Sequence, residues 1–373
     1  MHNFRKTLIA AITLITLLFT LFSVAAFSKE TPAPSARAAV LYEPTSSEFL
    51  YTKNPDTPLP MASTTKIMTA LVALQELEDP EQELTVDKRA VGIEGSSAYF
   101  KGGEVFTLYD MLHIMLLRSA NDAAAQIAYT VSGDIDAFAE LMNETAASLG
   151  LTSTSFKNPT GLDDDNHYTT ARELAIITAE AMKYPLFREI VQKRIHTATD
   201  LSSGKSTVFV NHNKLLTRYE GCIGVKTGYT KRSGRSLVSA AERDGITLIA
   251  VTINAPNDWC DHEDMLDYGF SQLEYINAVS KSKEEFTIPV LDSDKTSISA
   301  RARDDFGFVA RRGDKVALIY DLPSYLIAPL KAGEKVGKIK VTVGGKTVGE
   351  VDIVATEDSL KNKTILEKIF GRR

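Results

Sequence analysis

The spacing of apolar residues changes period along this chain, and that change limits the folds open to it more than any other feature. Alternation at residues 38–42 and 48–51 predicts a strand pair with a turn at residues 44–46. Helical spacing then takes over, and strand patterns return beyond residue 220. The predicted helices are residues 63–80, 108–117, 121–128, 135–149, 171–182 and 261–275, and the later strands are residues 223–227, 235–242 and 247–254. This order predicts an α/β (α+β) fold with helices packed on a sheet.

A different pattern begins after residue 280. The short β-type runs there are residues 286–291, 306–310, 315–320, 338–343 and 347–354. Gly344 and Gly345 form a hairpin turn signal between the last two runs. At 373 residues the chain is also long enough for about two domains. We predict a catalytic domain at residues 29–280 and a small all-β domain at residues 281–357, the latter a spacer or docking module.

The first residues have the pattern of an export signal. Arg5 and Lys6 precede an uncharged run over residues 7–27 that is rich in Leu, Ile and Ala. The small residues at its end are Ala25, Ala26 and Ser28. This pattern predicts a signal peptide at residues 1–28, although the run is also just long enough for an uncleaved anchor. Either way we expect the rest of the chain outside the cytoplasm, secreted or attached to the outer face of the cytoplasmic membrane.

The last residues, 358–373, form a short amphipathic basic tail. Its apolar residues on one helical face are Ile365, Leu366, Ile369 and Phe370. The basic residues around them are Lys361, Lys363, Lys368, Arg372 and Arg373. This pattern is typical of a helix lying on an anionic membrane, and equally of a solvated tail or a helix packed on the β-domain.

Composition argues against several functions. The net charge of −6 disfavours a nucleic-acid partner. The six histidines form no short-spaced ligand pair, and no glycine-rich phosphate loop follows a strand, so we expect no metal and no cofactor. Cys222 and Cys260 could pair in an exported protein if they meet in space, but two free thiols are at least as consistent with the sequence.

Ser63 and Lys66 lie three residues apart where a helix is predicted to begin, so their side chains can meet. A serine hydroxyl needs a base within hydrogen-bond reach, and free N–H groups at a helix N-terminus favour developing negative charge. Lys66 can be that base only when neutral, which burial against Ile67 and Met68 or a nearby cation such as Lys226 would promote. Taken alone, this spacing is more often an N-cap followed by a surface lysine.

Two further segments carry suitable groups. In an extended loop, Ser119 and Asn121 would point the same way and offer a proton relay and an amide. On a strand, Lys226 and Gly228 would face one side and Thr227 the other. Each segment alone is an ordinary cap or turn sequence. Their combination is what indicates an enzyme.

Together and in this order, the three segments resemble the penicillin-binding-protein and β-lactamase superfamily of serine acyl-enzymes. Longer stretches resemble its low-molecular-mass D-alanyl-D-alanine carboxypeptidases, namely residues 61–69, 117–123, 156–163 and 167–171. Ser-Ala-Asn in place of Ser-Asp-Asn favours a carboxypeptidase over a class A β-lactamase. The resemblance covers about residues 38–270, and it implies a DD-peptidase-like domain whose antiparallel sheet carries helices, followed by a small all-β domain.

The resemblance also implies roles for individual residues. Ser63 would be the acylated nucleophile, Lys66 its general base and Ser119 the proton shuttle toward the leaving amine. Asn121 would hold the substrate amide. The implied substrate-binding residues are Lys226, Thr227, Gly228 and Tyr229, and the backbone N–H groups of Ser63 and Tyr229 would form the oxyanion hole.

The chain departs from some relatives in two places. Those relatives have histidine at the position of Tyr229, and arginine near the start of the last helix, where this chain has Asp258 and Trp259. Recognition of a substrate carboxylate would then need another cation, for which Arg232 and Arg235 are the candidates.

We therefore predict a serine-type D-Ala-D-Ala carboxypeptidase that removes the terminal D-alanine of peptidoglycan stem pentapeptides and binds β-lactams covalently on Ser63. His167 is interpreted as a structural hydrogen-bonding residue. The alternatives left open are a DD-endopeptidase, a β-lactamase, and a non-catalytic scaffold that binds the cell wall.

Overall fold

A computed structural model of the protein describes residues 30–362. The predicted signal peptide and the apolar face of the predicted tail lie outside these described residues. The α-helices within 30–362 are α1 (Lys66–Glu76), α2 (Leu108–Arg118), α3 (Asn121–Ser132), α4 (Ile135–Ser148), α5 (Ala171–Ala181), α6 (Pro185–Gln192), α7 (Leu215–Arg218) and α8 (Asp258–Gln272). None of the helices in this part of the chain has both the length and the apolar character needed to cross a membrane.

Strands occupy much of the remaining chain. The first nine are β1 (Ala38–Glu43), β2 (Glu48–Lys53), β3 (Glu83–Thr85), β4 (Val105–Thr107), β5 (Ile195–Asp200), β6 (Lys205–Val210), β7 (Cys222–Thr230), β8 (Gly234–Arg243) and β9 (Ile246–Ile253). The later ones are β10 (Leu273–Val279), β11 (Glu285–Leu291), β12 (Ser297–Ala302), β13 (Phe306–Arg311), β14 (Val316–Asp321), β15 (Leu326–Ile327), β16 (Lys335–Val343) and β17 (Lys346–Ala355).

The central sheet is antiparallel, with strand order β2-β1-β9-β8-β7. Alternate residues of β9 enter two cores. Ile249 and Val251 pack with helices α1 to α6 on one face, whereas Leu248 and Ala250 pack with α8 on the other. Because both faces are covered, β9 is apolar along nearly its whole length. The predicted sheet with helices packed on it is confirmed.

The predicted all-β part after residue 280 is confirmed as well. Its main sheet has six strands in the order β14-β16-β17-β12-β11-β15, and it has a hydrophobic core of its own. A second pairing, β10 with β13, joins this part to the end of α8. Arg311 of β13 also forms an ion pair with Glu48 of β2. The exact domain limits, 29–280 and 281–357, stay predictions.

Two segments differ from the sequence-based expectation. The last helix, expected at residues 261–275, spans Asp258–Gln272, because Leu273 already begins β10. The β5–β6 hairpin was not predicted. Only Ala198 and Phe209 of its apolar residues are buried, so its strands lack the alternation that reveals a half-buried strand. Cys222 and Cys260 are free thiols.

A buried histidine between the sheet and α8 gives the fold a pH-dependent stability. The ring nitrogens of His262 bond to Ser239 Oγ at 2.6 Å and Thr252 Oγ1 at 2.9 Å, and burial lowers the His262 pKa to about 3. An unfolded chain takes up this proton below about pH 6.5, and the folded chain does not until about pH 3, so unfolding becomes easier as pH falls through that window.

Protonation of His262 in the unfolded chain should lower the free energy of unfolding by about 1.4 kcal/mol for each pH unit below 6.5. Thermal melts between pH 6.5 and 4.5 should show a shallower decline for His262→Gln than for the parent protein. Ser148→Ala, which removes an exposed hydroxyl and no titrating group, serves as the control. Equal slopes for the parent and His262→Gln would exclude this source of acid sensitivity.

Candidate active site

Ser63 lies in a 3₁₀ turn, Ala62–Thr65, and helix α1 begins only at Lys66. The expectation that Ser63 starts the α-helix itself is therefore wrong by one turn. Side-chain hydrogen bonds hold the turn, since Thr64 Oγ1 donates to the carbonyl oxygen of Met61 at 2.7 Å. Thr65 Oγ1 bonds in the same way to the carbonyl oxygen of Ala62 at 2.8 Å. The turn is thus fixed before substrate arrives.

His167 supports this turn from behind. Its Nδ1 accepts the backbone N–H of Lys157 at 3.1 Å, so the proton of the neutral ring lies on Nε2, which is 2.7 Å from Thr65 Oγ1. Burial lowers the His167 pKa to about 4, which keeps the ring neutral at ordinary pH. His167 is absent from the residues that line the cleft described below, and this geometry agrees with the structural interpretation.

Gly161 presses directly against the backbone of the Ser63 turn. A Cβ at Gly161 would lie 1.9 Å from the carbonyl oxygen of Ala62, and the φ angle of +84° already suits glycine. Gly150 has a similar φ of +73° but has no atom within 4 Å of such a Cβ. Substitution at Gly150 would cause only the strain of a positive φ, whereas substitution at Gly161 would add a collision with the Ser63 turn.

We expect Gly161→Ala to lower the free energy of unfolding by about 3 kcal/mol or more and to slow acylation of Ser63. Gly150→Ala should lose only about 1 kcal/mol, with acylation unchanged. Chemical denaturation and penicillin labelling kinetics measure both effects. Equal losses for the two variants would show that the contact with Ala62 is unimportant.

Lys66 is completely buried and has three oxygen partners. Its Nζ lies 3.1 Å from Ser63 Oγ, 2.6 Å from Asn121 Oδ1 and 2.5 Å from the carbonyl oxygen of Thr160. Burial lowers the Lys66 pKa well below its ordinary value, and the charge of Lys226 lowers it further, while Asp122 opposes the shift. A neutral amine fits these partners, because its two N–H groups suit the amide and carbonyl oxygens and its lone pair suits the Ser63 hydroxyl.

Ser119 and Asn121 reach the site from the junction of α2 and α3, and not from the extended loop that the sequence suggested. Ser119 ends α2 in the left-handed region, with φ 65°, and Asn121 is the first residue of α3. This sharp reversal brings both side chains to the site. The Asn121 amide is held by the carbonyl oxygen of Glu94, which accepts from Nδ2 at 2.5 Å, leaving Oδ1 for Lys66.

The loop that holds Asn121 is itself organised by Asp122. The buried Asp122 carboxylate accepts hydrogen bonds from Ser97 Oγ at 2.6 Å and from the backbone N–H groups of Ala98 and Tyr99 at 3.0 and 2.9 Å. The carbonyl oxygen of Ser96 in turn accepts the Asn121 backbone N–H at 2.7 Å. Sequence reasoning missed this support, since nothing in the spacing relates residues 94–99 to Asn121.

Strand β7 forms the opposite wall, and its alternation follows the prediction. A Cβ on Gly228 would lie 3.0 Å from the carbonyl oxygen of Met61 and 3.2 Å from the Ser63 nitrogen, so any other residue would require the strand and the Ser63 turn to move apart by a few tenths of an ångström. Lys226 is buried on the same face and donates to the carbonyl oxygen of Thr227 at 2.9 Å. Burial lowers the Lys226 pKa to about 7.

A cleft of about 530 Å³ opens between these walls. Its lining residues are Ser63, Ser96, Ser119, Asn211, His212, Lys214, Thr227, Gly228, Tyr229, Arg235, Asp258 and Trp259. Five predicted site residues are thus brought to one surface, and Lys66 joins Ser63 to the buried Asn121. The sequence alone did not indicate Ser96, Asn211, His212 or Lys214.

Of the two candidate arginines, only Arg235 lines the cleft. Its Nε and one terminal nitrogen bond to Asp258 Oδ1 at 3.1 and 2.9 Å, and its guanidinium lies 5.7 Å from the centre of the Trp259 ring. Arg232 instead pairs with Asp165 at 2.8 Å. Asp258 and Trp259, which stand where some relatives have an arginine, therefore hold Arg235 of strand β8 at the cleft.

A serine hydroxyl beside a buried, deprotonatable lysine, in a cleft with hydrogen-bond donors and a cation, is the arrangement that a serine enzyme working through an acyl intermediate requires. A family model described as D-alanyl-D-alanine carboxypeptidase matches residues 25–257. A second model, described as penicillin-binding protein 5, C-terminal domain, matches residues 273–361.

Individual relatives agree with these matches. The D-alanyl-D-alanine carboxypeptidase DacF of Bacillus subtilis is 30% identical over 392 residues, spanning 100% of this chain and 98% of the relative. DacC of Escherichia coli is 31% identical over 359 residues, spanning 91% and 88%. The structure of penicillin-binding protein 5 from Haemophilus influenzae aligns with a TM-score of 0.65 at 28% identity, covering 89% of this chain and 99% of that one.

The chain belongs to the D-alanyl-D-alanine carboxypeptidase family. The predicted resemblance to low-molecular-mass penicillin-binding proteins and the predicted class, a serine-type carboxypeptidase, are thereby confirmed.

Proposed function

We propose that this protein releases the terminal D-alanine of peptidoglycan stem pentapeptides through an ester on Ser63. The observation that carries the assignment is the contact of buried Lys66 Nζ with Ser63 Oγ at 3.1 Å, together with the lowered pKa of that lysine. Lys66 takes the hydroxyl proton as Oγ bonds to the carbonyl carbon. The backbone N–H groups of Ser63 and Tyr229 receive the developing negative charge.

The leaving amine is protonated on the other side of the cleft. As the C–N bond breaks, the proton held by Lys66 passes to the departing D-alanine through Ser119, which lines the cleft near Asn121. Asn121 holds the substrate amide. Water then attacks the ester and gives its proton to Lys66, and Ser63 Oγ regains a proton as its bond to the acyl carbon breaks.

At the end of the cleft from which the amine leaves, the protein has a cationic site for the terminal carboxylate of the substrate. Thr227 supplies a hydroxyl, and the buried Lys226 donates to the Thr227 carbonyl oxygen behind the cleft wall. Arg235 is positioned at the cleft surface by Asp258 and Trp259. A guanidinium can bind a carboxylate through paired N–H groups, which a neutral side chain cannot reproduce. We therefore assign Arg235 the role that an arginine of the last helix has in some relatives.

We expect Arg235→Gln to lower kcat/KM for a D-Ala-D-Ala peptide by about tenfold or more, because a charge-assisted hydrogen bond is lost. Arg232→Gln, which alters a cation outside the cleft, is the matched control. A peptide ending in an amide should be hydrolysed equally by the parent protein and Arg235→Gln. A penalty that persists with the amide would place the effect of Arg235 elsewhere.

We also propose that the enzyme acts outside the cytoplasm and that β-lactams inhibit it. The relatives and the export signal support an extracytoplasmic enzyme of the cell envelope, and the basic tail supports contact with the outer face of the cytoplasmic membrane. β-Lactams would acylate Ser63 as substrate analogues and leave slowly, with no cofactor involved. Rapid destruction of penicillin would instead identify a β-lactamase.

The direct test combines two assays on residues 29–373. Free D-alanine is measured after incubation with an acylated peptide ending in D-Ala-D-Ala, and intact mass is measured after brief exposure to benzylpenicillin. Release of D-alanine with one penicillin adduct on the Ser63 peptide is expected. Substrate binding with neither release nor adduct would favour the scaffold alternative.

A further inference from the structure

The last residue of strand β7 is hydrogen-bonded to a loop that also contacts other parts of the active site. The Thr230 hydroxyl donates to Asp163 Oδ1 at 2.9 Å, although 67 residues separate the two along the chain. Thr230 directly follows Tyr229, whose backbone N–H is one of the two oxyanion-hole donors in the proposed reaction. The contact therefore lies one residue from a group on which the transition state would depend.

The neighbouring hydrogen bonds determine where the Thr230 hydroxyl proton goes. Ser233 is 1% exposed, and its Oγ donates to the carbonyl oxygen of Gly234 at 2.9 Å and accepts the Thr230 backbone N–H at 3.0 Å. Thr230 Oγ1 accepts the Ser233 N–H at 3.0 Å and also lies 3.0 Å from Ser233 Oγ. Because a carboxylate is a stronger acceptor than a hydroxyl, the Thr230 proton is directed to Asp163.

The same contacts indicate the direction of the Tyr229 N–H. Successive N–H groups of a β-strand point to opposite sides, and the Thr230 N–H is bonded to Ser233 on the side of β8. The Tyr229 N–H therefore points to the open edge, because β7 is the last strand of the central sheet. At this edge an added Cβ on Gly228 would lie 3.2 Å from the Ser63 nitrogen, so the two oxyanion-hole donors face one another's surroundings.

Asp163 belongs to the loop over residues 158–167, which contacts the base and the nucleophile turn as well. The carbonyl oxygen of Thr160 lies 2.5 Å from Lys66 Nζ, and Gly161 packs on the turn that carries the nucleophile. The base, the nucleophile turn and the end of β7 come from separate stretches of the chain. Because one loop contacts all three, it fixes the spacing between them.

We infer that Asp163 is a positioning residue for the oxyanion hole, whose hydrogen bond to Thr230 fixes the end of β7 so that the Tyr229 N–H stays directed at the oxyanion. This inference rests on the proposed function. Asp163 is not among the described residues that line the cleft, so its effect passes through the backbone of Thr230. Oxyanion-hole donors stabilise charge that develops only in the transition state, and a misplaced donor therefore slows the reaction more than it weakens substrate binding.

A neighbouring ion pair supplies a matched control. Asp165 pairs with Arg232 at 2.8 Å and so also joins the 158–167 loop to the β7–β8 turn, with side chains that are 89% and 48% exposed. Such a pair contributes little, and the long arginine side chain can follow a shift of the backbone. Asp163 is exposed too, but its partner Thr230 is half-buried, and both side chains are short, so their bond restrains the strand more closely.

The test compares Asp163→Ala with Asp163→Asn, which keeps an acceptor oxygen and removes the charge. Asp163→Ala should lower kcat for a D-Ala-D-Ala peptide by about tenfold and change KM less than about twofold, whereas Asp163→Asn should keep at least about half of the parent kcat. Affinity for a peptide boronic acid, which forms a tetrahedral adduct on Ser63, should fall in parallel with kcat. In a Ser63→Ala background, Asp163→Ala should leave binding of the uncleaved peptide unchanged.

Thr230→Val removes the donor and should lower kcat at least as much as Asp163→Ala, and the double variant should lose no more than Thr230→Val alone. Asp165→Asn should match the parent protein in every assay. An active parent protein whose kcat and boronic acid affinity are unchanged in Asp163→Ala would overturn the inference and leave the proposed function standing. Equal weakening of the adduct and of uncleaved-peptide binding would also overturn it. If the parent protein neither releases D-alanine nor forms the adduct, the proposed function fails, and the inference with it.

Discussion

Ser63→Ala should lower D-alanine release by at least about four orders of magnitude and eliminate the penicillin adduct, while peptide binding persists. The ester cannot form without Oγ, and neighbouring groups give little catalysis once the nucleophile is absent. The 3₁₀ turn that carries Ser63 is held by Thr64, Thr65 and His167, so its shape should survive the change. The measurements are D-alanine release, intact mass, and binding of an uncleaved peptide.

The control for this variant is Ser148→Ala, which removes an exposed hydroxyl near the end of α4. It should match the parent protein in every assay. Residual turnover in Ser63→Ala equal to that of the parent protein would refute the nucleophile assignment. Loss of peptide binding together with turnover would mean that the hydroxyl also contributes to recognition.

Lys66→Met should lower the rate of acylation by about 10² to 10⁴-fold, the usual contribution of a general base. Methionine fills a similar volume, but it cannot take the proton of Ser63. Lys66→Arg should be equally inactive, because a guanidinium stays charged at any accessible pH. Methionine removes the positive charge and arginine keeps it, so equal losses in the two variants would trace the defect to the missing neutral amine. Penicillin labelling kinetics measure both variants.

The pH dependence gives a second readout for Lys66. Burial and the charge of Lys226 lower its pKa, so a neutral fraction exists well below the pH at which an exposed lysine deprotonates. Acylation should rise with pH as Lys66 loses its proton, and the residual rate in Lys66→Met should lack this rise. The exposed Lys157→Met should keep the parent profile. An unchanged profile in Lys66→Met would assign the titration to another group.

The sequence was sufficient for features that depend on local spacing. The three-residue separation of Ser63 and Lys66 brings their side chains together in a helical turn, and the apolar run at residues 247–254 predicted the strand that the structure has as β9. Strand alternation likewise placed Lys226 and Gly228 on one side. These elements required no knowledge of the distant parts of the chain.

Features that depend on distant contacts could not be predicted. The salt link that positions Arg235 joins β8 to the start of α8, and no spacing rule relates the two. The αL residue Ser119 ends a helix where a loop was expected, since a positive φ at serine has no strong sequence signature. The β5–β6 hairpin was missed because most of its side chains are exposed and its buried residues do not alternate regularly with them.

The chain between α8 and β10 has a mechanical consequence. Gln272 ends the helix and Leu273 begins the strand that pairs with β13, so no flexible tether separates the sheet beneath Ser63 from the β-rich part. The pairing of β10 with β13 and the ion pair of Arg311 with Glu48 connect the β-rich part to the catalytic part a second and a third time. Binding of a partner to the β-rich part would therefore fix the orientation of the catalytic sheet as well.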